Sequence, residues 1–149
     1  MAADLKALLS LRKRRTQRAQ DRFAQADRER EQADMAVLRA LMRFQEIEQG
    51  NHARRQQRVR DILERPTSAA QLVRIGLQYE VGEQELAEQA QQVQELRVEA
   101  KAAQDRMKRA HEELQAALKR EKKLEEAVGR LKLQSDRHAD VMAEMELER

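Results

Sequence analysis

The sequence predicts an all-α fold in which two long helices form an antiparallel coiled-coil hairpin with a C-terminal overhang. Two runs of apolar residues, over residues 5–47 and 72–145, recur at alternating spacings of three and four. One strong break, Arg65-Pro66-Thr67-Ser68, separates them. An apolar stripe that repeats every 3.5 residues on a charged helix is buried only against a partner helix. Each run is therefore the natural partner of the other.

The composition excludes most other fold classes. With 38% charged and 2% aromatic residues, the chain has too little bulky apolar material for a globular core, whereas long helices have this profile. One proline and four glycines supply too few turns for a β fold. The lack of cysteine excludes disulfides and thiolate sites, and fits a reducing compartment. Without an apolar run of about 20 residues or a signal peptide, we expect a soluble cytoplasmic protein.

Helix 1 is predicted at about residues 3–64. Around Gly50 the repeat slips, because Val59 and Ile62 come one residue later than its spacing requires. Such an insertion locally unwinds a coiled coil, and glycine weakens a helix, so we expect residues 50–64 to be the least regular part. We call the repeating residues of helix 1 the first stripe: Leu5, Leu9, Arg12, Thr16, Ala19, Phe23, Ala26, Arg30, Ala33, Val37, Ala40, Phe44 and Ile47.

The break and helix 2 follow from local chemistry. Pro66 cannot continue a helix, and Ser68 with Gln71 forms the capping-box pattern that opens one. We therefore predict a turn at about 65–68, helix 2 at about 69–146, and one extended domain over residues 1–149. The repeating residues of helix 2, the second stripe, are Leu72, Ile75, Tyr79, Gly82, Leu86, Gln89, Val93, Leu96, Ala100, Ala103, Met107, Ala110, Leu114, Ala117, Glu121, Leu124, Val128, Leu131, Ser135, His138, Met142 and Met145.

The short connection also predicts a register. Helices joined so tightly run antiparallel, and a turn centred between Pro66 and Thr67 places residues opposite each other when their numbers sum to about 133. Phe23 then faces Ala110, and Arg12 faces Glu121, where a charged pair within the interface could fix the register at some cost in stability. A sum seven larger or smaller aligns the stripes equally well, so the turn alone selects this one.

The net charge of +3 hides an asymmetry between the two helices. Residues 1–65 hold 16 basic and 10 acidic side chains, a balance of +6, and residues 66–149 hold 14 and 17, a balance of −3. Opposite charges suit pairing within one chain. Beyond about Gly129 the second stripe continues with no residue of helix 1 to face it. Such an overhang is either frayed or a docking surface, for which methionine is an adaptable residue.

Few motifs point to chemistry. The basic run Arg12-Lys13-Arg14-Arg15, extended by Arg18 and Arg22, suits a solvated helix face, nucleic acid, an anionic membrane surface or an acidic protein. A protein is the best of the partners, because no interleaved aromatic residues offer bases a surface for stacking. The stretch from His111 to Gln115 lacks the second histidine of a zinc-protease helix. We expect no catalysis, no metal and no cofactor.

In pattern the whole chain resembles the type III secretion stalk family, represented by YscO in injectisomes and FliJ in flagella. The matching stretches are a basic start, Leu5-Lys6-Ala7-Leu8-Leu9-Ser10-Leu11-Arg12-Lys13-Arg14-Arg15, the break Arg65-Pro66-Thr67-Ser68, and the long run from Leu72 to Met145. The resemblance implies a non-enzymatic central stalk, similar to the coiled-coil γ subunit of rotary ATPases. It also implies a monomeric hairpin at the cytoplasmic face of the secretion apparatus.

The resemblance further implies partners and the residues that bind them. The hexameric secretion ATPase is expected at Arg12, Arg14, Arg15, Arg18, Leu131, Met142 and Met145. The export-gate protein and secretion chaperones, which the family recycles, are expected at Phe44, Ile47 and Tyr79. Two alternatives stay open, namely a purely structural coiled coil that dimerises through helix 2 and a basic coiled coil that binds nucleic acid.

Overall fold

The computed structural model describes residues 2–149, which form two long helices that pack against each other as a helical hairpin. Helix α1 spans Ala2–Glu64 with 63 residues, and helix α2 spans Ala69–Leu147 with 79 residues. The described residues contain no β-strand. The predicted all-α fold class is therefore confirmed, and both helices begin and end within one residue of the predicted positions.

The turn between the helices has the predicted capping chemistry. The backbone N–H of Ser68 donates to Gln71 Oε1 at 3.1 Å, and the backbone N–H of Gln71 donates to Ser68 Oγ at 3.2 Å. These reciprocal bonds satisfy two backbone donors that a helix N-terminus leaves without internal partners. On the other side of the turn, Arg65 N–H still bonds the carbonyl of Asp61 at 3.1 Å. Pro66 follows and cannot donate a further helical bond.

The chain groups into two compact units, each containing a piece of both helices. Unit 1 consists of the residues up to Asp27 together with Asp105–Arg149. Unit 2 consists of Arg28–Gln104 and contains the turn. The single-domain assignment for residues 1–149 stays a prediction.

In unit 1 the predicted register is confirmed by two contacts between the helices. Buried Thr16 donates its hydroxyl to the carbonyl of Arg12 at 3.0 Å, and the same Oγ1 lies 3.5 Å from the carbonyl oxygen of Ala117 on α2. The rings of Phe23 and His111 are 5.2 Å apart and inclined by 51°. The residue numbers of these cross-helix pairs sum to 133 and 134.

In unit 2 two buried amides make the corresponding contacts. Asn51 Nδ2 donates to the carbonyl of Gly82 at 3.0 Å, and these numbers again sum to 133. Gln89 Nε2 donates to the carbonyl of Ala40 at 3.2 Å, with a sum of 129. The longer glutamine side chain thus reaches about one helical turn along α1. The predicted register therefore holds in unit 2 as well.

The apolar interface is built largely from alanine. The buried hydrophobic residues are Ala19, Ala26, Ala40, Val93, Ala103 and Ala110, whereas larger residues of both stripes, such as Phe44 and Leu96, are only half-buried. Burial contributes about 25 cal/mol per Å² of apolar surface, so an alanine layer adds little free energy and discriminates poorly between registers. Hydrogen bonds from Asn51 and Gln89 to the facing helix supply the missing specificity.

The expectation of an irregular segment after Gly50 is wrong as far as the helix is concerned. Helix α1 runs through residues 50–64 without interruption. One glycine costs only about 1 kcal/mol relative to alanine and still makes both backbone bonds, so the neighbouring turns carry the helix across it. The one-residue shift of the apolar repeat instead affects which side chains pack between the helices, since Ile62 is half-buried while Val59 remains 56% exposed.

The predicted ion pair between Arg12 and Glu121 is also wrong. Both residues are half-buried at the interface, yet no salt bridge joins them among the described residues. The cross-helix pair at this level is Lys13 Nζ with Glu125 Oε1, at 3.8 Å, and both side chains are about half exposed. Long charged side chains extend from such positions toward water, because pairing inside the interface would require desolvating both charges.

The Asn51 contact predicts opposite effects of alanine at two glycines of α2. A Cβ atom at Gly82 would lie 3.2 Å from Asn51 Oδ1 and 3.3 Å from its Cγ and Nδ2, whereas one at Gly76 would meet nothing within 4 Å. Because Asn51 is buried and hydrogen-bonded, we expect Gly82→Ala to lower the free energy of unfolding by about 1 kcal/mol. Gly76→Ala should raise it by about 0.5–1 kcal/mol. Urea denaturation measures both.

The cause is isolated by repeating Gly82→Ala in an Asn51→Ala background. With the crowded side chain removed, Gly82→Ala should become stabilising, as Gly76→Ala is. If Gly82→Ala stabilises the wild-type chain as much as Gly76→Ala does, the Asn51 contact does not constrain the interface.

Loss of the helix cap should be measurable as well. Ser68→Ala removes the hydroxyl that accepts from Gln71 N–H, so the free energy of unfolding should fall by about 1 kcal/mol in the same denaturation experiment. Ser135→Ala is the matched control, because Ser135 is exposed in the interior of α2. Alanine is the better helix former there and should cause no loss. Equal effects of the two substitutions would contradict the capping role.

Candidate functional site

A groove with arginine walls runs between the helices in unit 1. Its cavity volume is about 430 Å³, and three alanines line it together with four arginines. Arg15, Arg18 and Arg22 follow one another at spacings of three and four, which places them on one face of α1. We call this the basic groove; its lining is Arg15, Arg18, Ala19, Arg22, Glu113, Ala116, Ala117 and Arg120.

The positive charge of the basic groove extends over both helices. Residues 12–22 of α1 hold six basic and one acidic side chain, and the facing residues 111–123 of α2 hold four and three, which together give a balance of +6. Arg22 and Glu113 approach to 4.0 Å, but both side chains are more than 60% exposed. Ion pairs in such solvated positions contribute little free energy, so a field attractive to anions remains.

The basic residues that the sequence predicts to bind a partner differ in their exposure. Arg14, Arg15 and Arg18 are exposed, and the last two line the basic groove, whereas Arg12 is half-buried between the helices. The sequence reasoning missed Arg120 on α2. A signal was present, because the predicted register already places the run Lys119-Arg120-Glu121-Lys122-Lys123 opposite the basic start of helix 1.

The end of α2 carries the largest uninterrupted exposed stretch in unit 1. Every residue from 130 to 149 is exposed, while α2 stays helical through Leu147. The predicted residues Leu131, Met142 and Met145 all lie in this stretch. We call its large apolar side chains the terminal stripe: Leu131, Leu133, Val141, Met142, Met145 and Leu147.

A second cavity, of about 390 Å³, lies in unit 2 between Asn51 and the turn. Four arginines from both helices contribute to it, with a single glutamate. We call it the turn-end pocket; its lining is Asn51, Arg54, Arg55, Arg58, Arg74, Leu77, Gln78, Tyr79, Val81, Gly82 and Glu85. No residue between Asn51 and Gln89 is fully buried, so this part of the interface is the most open part of unit 2.

Two of the four arginines are held by neighbouring side chains. Arg54 Nη2 donates to Asn51 Oδ1 at 2.9 Å, which leaves Asn51 Nδ2 directed at the carbonyl of Gly82. The Arg55 guanidinium lies 4.2 Å from the centre of the Tyr79 ring and forms an ion pair with Glu83. A guanidinium above an aromatic face is attracted by the ring's negative π surface. These contacts fix one wall of the turn-end pocket.

The other two arginines are differently placed. Arg58 is half-buried on the face of α1 that packs on α2, where the register sets it opposite Ile75, and Arg74 is exposed one residue earlier on α2. Neither makes a hydrogen bond or ion pair with another described residue. The sequence reasoning singled out neither of them. The spacing Arg54-Arg55-Gln56-Gln57-Arg58 was the available signal, but the partner Arg74 follows only once the register is known.

The three residues predicted for the export gate and chaperones do not form one surface. Phe44 and Ile47 are half-buried and help to hold the helices together. Tyr79 is 46% exposed and lines the turn-end pocket, which contains neither of the other two. Of the three, Tyr79 alone therefore belongs to the candidate site.

Within residues 2–149 no group of histidine, aspartate and glutamate side chains is placed to hold a metal ion. Over the same residues, neither helix has a segment both long enough and apolar enough to cross a membrane. No protein-family model, no curated protein and no solved structure matches the chain. What the chain binds is therefore inferred from the basic groove, the terminal stripe and the turn-end pocket.

Proposed function

We propose that the chain is a non-enzymatic central stalk and accessory component of a bacterial type III secretion apparatus. In this role unit 1 binds the hexameric secretion ATPase. The turn end of unit 2 binds the export-gate protein and the chaperones that deliver substrates. The two-helix hairpin with its basic start, and the resemblance of the sequence to the YscO and FliJ family, support this function.

The observation that carries the proposal is the combination of two surfaces within unit 1. The basic groove offers four arginines beside three alanines, and the terminal stripe offers six exposed apolar side chains within residues 131–147. Of these, Val141, Met142 and Met145 lie close together on one face of α2, and an exposed apolar patch of this kind marks a contact site for other proteins. Arginine and methionine are both enriched at protein interfaces, where methionine adapts its shape to the partner. Such a surface suits a protein partner that is apolar in one part and acidic in another.

The turn end of unit 2 supports a second contact. Seven large apolar side chains are exposed within residues 59–81, beside the arginines of the turn-end pocket. They are Val59, Leu63, Leu72, Val73, Leu77, Tyr79 and Val81. A stalk that connects two components requires separate binding surfaces, and these residues belong to a different unit from the terminal stripe.

The non-enzymatic and cytoplasmic parts of the proposal come from the same resemblance. A non-enzymatic role fits the contacts of the buried polar side chains. Each of them is engaged in a contact between the helices: Thr16, Asn51 and Gln89. We propose that the protein acts as a monomeric hairpin at the cytoplasmic face of the apparatus, without a cofactor.

The proposal is tested with Met142→Asp combined with Met145→Asp. Both side chains are exposed, by 48% and 59%, so aspartate should leave the fold intact but oppose burial against an apolar partner surface. Affinity for the purified secretion ATPase should fall at least tenfold, and stimulation of ATP hydrolysis should be lost. Calorimetry and a phosphate-release assay measure the two effects.

Met35→Asp combined with Met42→Asp is the matched control, because these methionines are 48% and 54% exposed but lie in unit 2. The control should bind and stimulate like the wild-type chain. Equal loss in both variants, or no interaction of the full-length chain with the ATPase, would overturn the proposal. A stable dimer in sedimentation would instead favour the structural coiled coil. Duplex DNA binding that survives physiological salt would favour the nucleic-acid alternative, since unspecific phosphate contacts weaken steeply with salt.

A further inference from the structure

The turn-end pocket has an excess of positive charge that its own residues do not neutralise. Arg58 and Arg74 lie at the same level of the two helices, because their numbers sum to 132. The single carboxylate of the lining, Glu85, is eleven residues beyond Arg74 on α2, or about 16 Å along a helix. At that separation, exposed charges are largely screened. An anion held between the two guanidinium groups would relieve their mutual repulsion.

An apolar ridge lies directly beside these arginines. Val73, Leu77 and Val81 recur every four residues on one face of α2, and each is more than half exposed. Side chains spaced by four form the ridges that interdigitate when two helices pack. Leu77 and Val81 also line the pocket that contains Arg58 and Arg74. The occupant must therefore satisfy a cationic site and an aliphatic ridge together.

We propose that the turn-end pocket binds an acidic amphipathic helix of a partner protein. One of its carboxylates lies between Arg58 and Arg74, and its aliphatic side chains pack against Val73, Leu77 and Val81. The guanidinium fork matches a carboxylate with two parallel hydrogen bonds. A nucleic-acid backbone would satisfy the arginines equally well but leave the aliphatic ridge in water, so the ridge favours a protein. The inference rests on the proposed function in taking the turn end as a partner-binding end.

The chain contains its own reporter of this binding. Tyr79 is the single tyrosine, and the sequence has no tryptophan. Its ring lines the turn-end pocket beneath the Arg55 guanidinium. An occupant of the pocket changes the surroundings of that ring, so tyrosine fluorescence reports on this site alone when the added peptide has no aromatic residue.

The test titrates the full chain with a synthetic helical peptide of about 18 residues that has leucines on one face and two glutamates four residues apart beside them. A second peptide has glutamine in place of both glutamates. Tyr79 fluorescence and calorimetry should both report binding of the glutamate peptide. The glutamine peptide should bind at least tenfold more weakly, because charge-assisted hydrogen bonds are about twice as strong as neutral ones. Equal affinity for the two peptides, or no binding of the glutamate peptide, would overturn the proposal.

Substitutions then locate the site. Arg58→Gln with Arg74→Gln should weaken binding of the glutamate peptide at least tenfold, and Arg74→Gln alone, at an exposed position, should weaken it in part. Arg60→Gln with Arg65→Gln is the control, because it removes the same charge from exposed residues that do not line the pocket. Circular dichroism checks that all variants remain helical. Equal weakening by the control pair would show attraction by net charge only and overturn the proposal.

Two further outcomes decide between partners and between proposals. If a 20-base-pair duplex displaces the glutamate peptide at physiological salt and binds through Arg58 and Arg74, the partner is a polyanion and the acidic-helix proposal fails. If the peptide does not bind while the secretion ATPase still does, this inference fails alone. If the peptide binds with the expected dependence on Arg58 and Arg74 but the ATPase does not bind, the stalk proposal fails and the peptide site stands.

Discussion

Polar side chains that reach from one helix to the backbone of the other determine how this protein is assembled. Two helices with apolar residues every 3.5 positions pack almost equally well after a shift of one heptad, and an alanine-rich interface hardly opposes that shift. Thr16 in unit 1 and Asn51 and Gln89 in unit 2 each approach one particular carbonyl group. A shift by seven residues would place Ile75 or Gln89 opposite Asn51 in the position of Gly82, and the buried amide of Asn51 would lose its hydrogen bond at a cost of about 1–3 kcal/mol. Burial therefore brings the helices together, and the polar contacts select the register.

The register in turn creates the candidate binding surfaces. Within unit 1 it places Arg120 beside Arg15, so that a basic stretch on each helix contributes to one groove. Within unit 2 it places Arg58 and Arg74 at one level, beside an aliphatic ridge. Gly82 belongs to the same arrangement, because its missing side chain leaves room for Asn51 against the backbone of α2. Substitutions at the interface between α1 and α2 should therefore alter partner binding, even where the substituted residue does not contact the partner.

The helices, the turn and the register could be predicted because they depend on local chemistry and on a repeat that persists over many residues. Local chemistry determines where the two helices meet the turn, because Pro66 ends α1 and the capping box of Ser68 and Gln71 begins α2. Tertiary packing therefore has little influence on these positions. The Arg12–Glu121 pair failed because facing positions do not determine where long, flexible side chains end. The expectation of an irregular segment after Gly50 was wrong, because a shift in the apolar repeat changes which side chains pack against α2 but does not interrupt the backbone hydrogen bonds of α1. The predicted residues of the terminal stripe are exposed, as expected. The turn-end pocket could not be predicted from one stretch of sequence, because it is formed by both helices and depends on the register that brings Arg58 and Arg74 to the same level.

The register is the central claim, and cross-linking tests it most directly because the chain has no cysteine of its own. Ala26→Cys with Met107→Cys in unit 1, and Ala40→Cys with Val93→Cys in unit 2, pair positions whose numbers sum to 133. Under mild oxidation of the purified protein at low concentration, both pairs should form intramolecular disulfides in high yield. Ala26→Cys with Leu114→Cys and Ala40→Cys with Ala100→Cys, each one heptad away, should stay reduced, since such positions lie too far apart for the short reach of a disulfide. Efficient closure of the heptad-shifted pairs would contradict the register and the surfaces that depend on it.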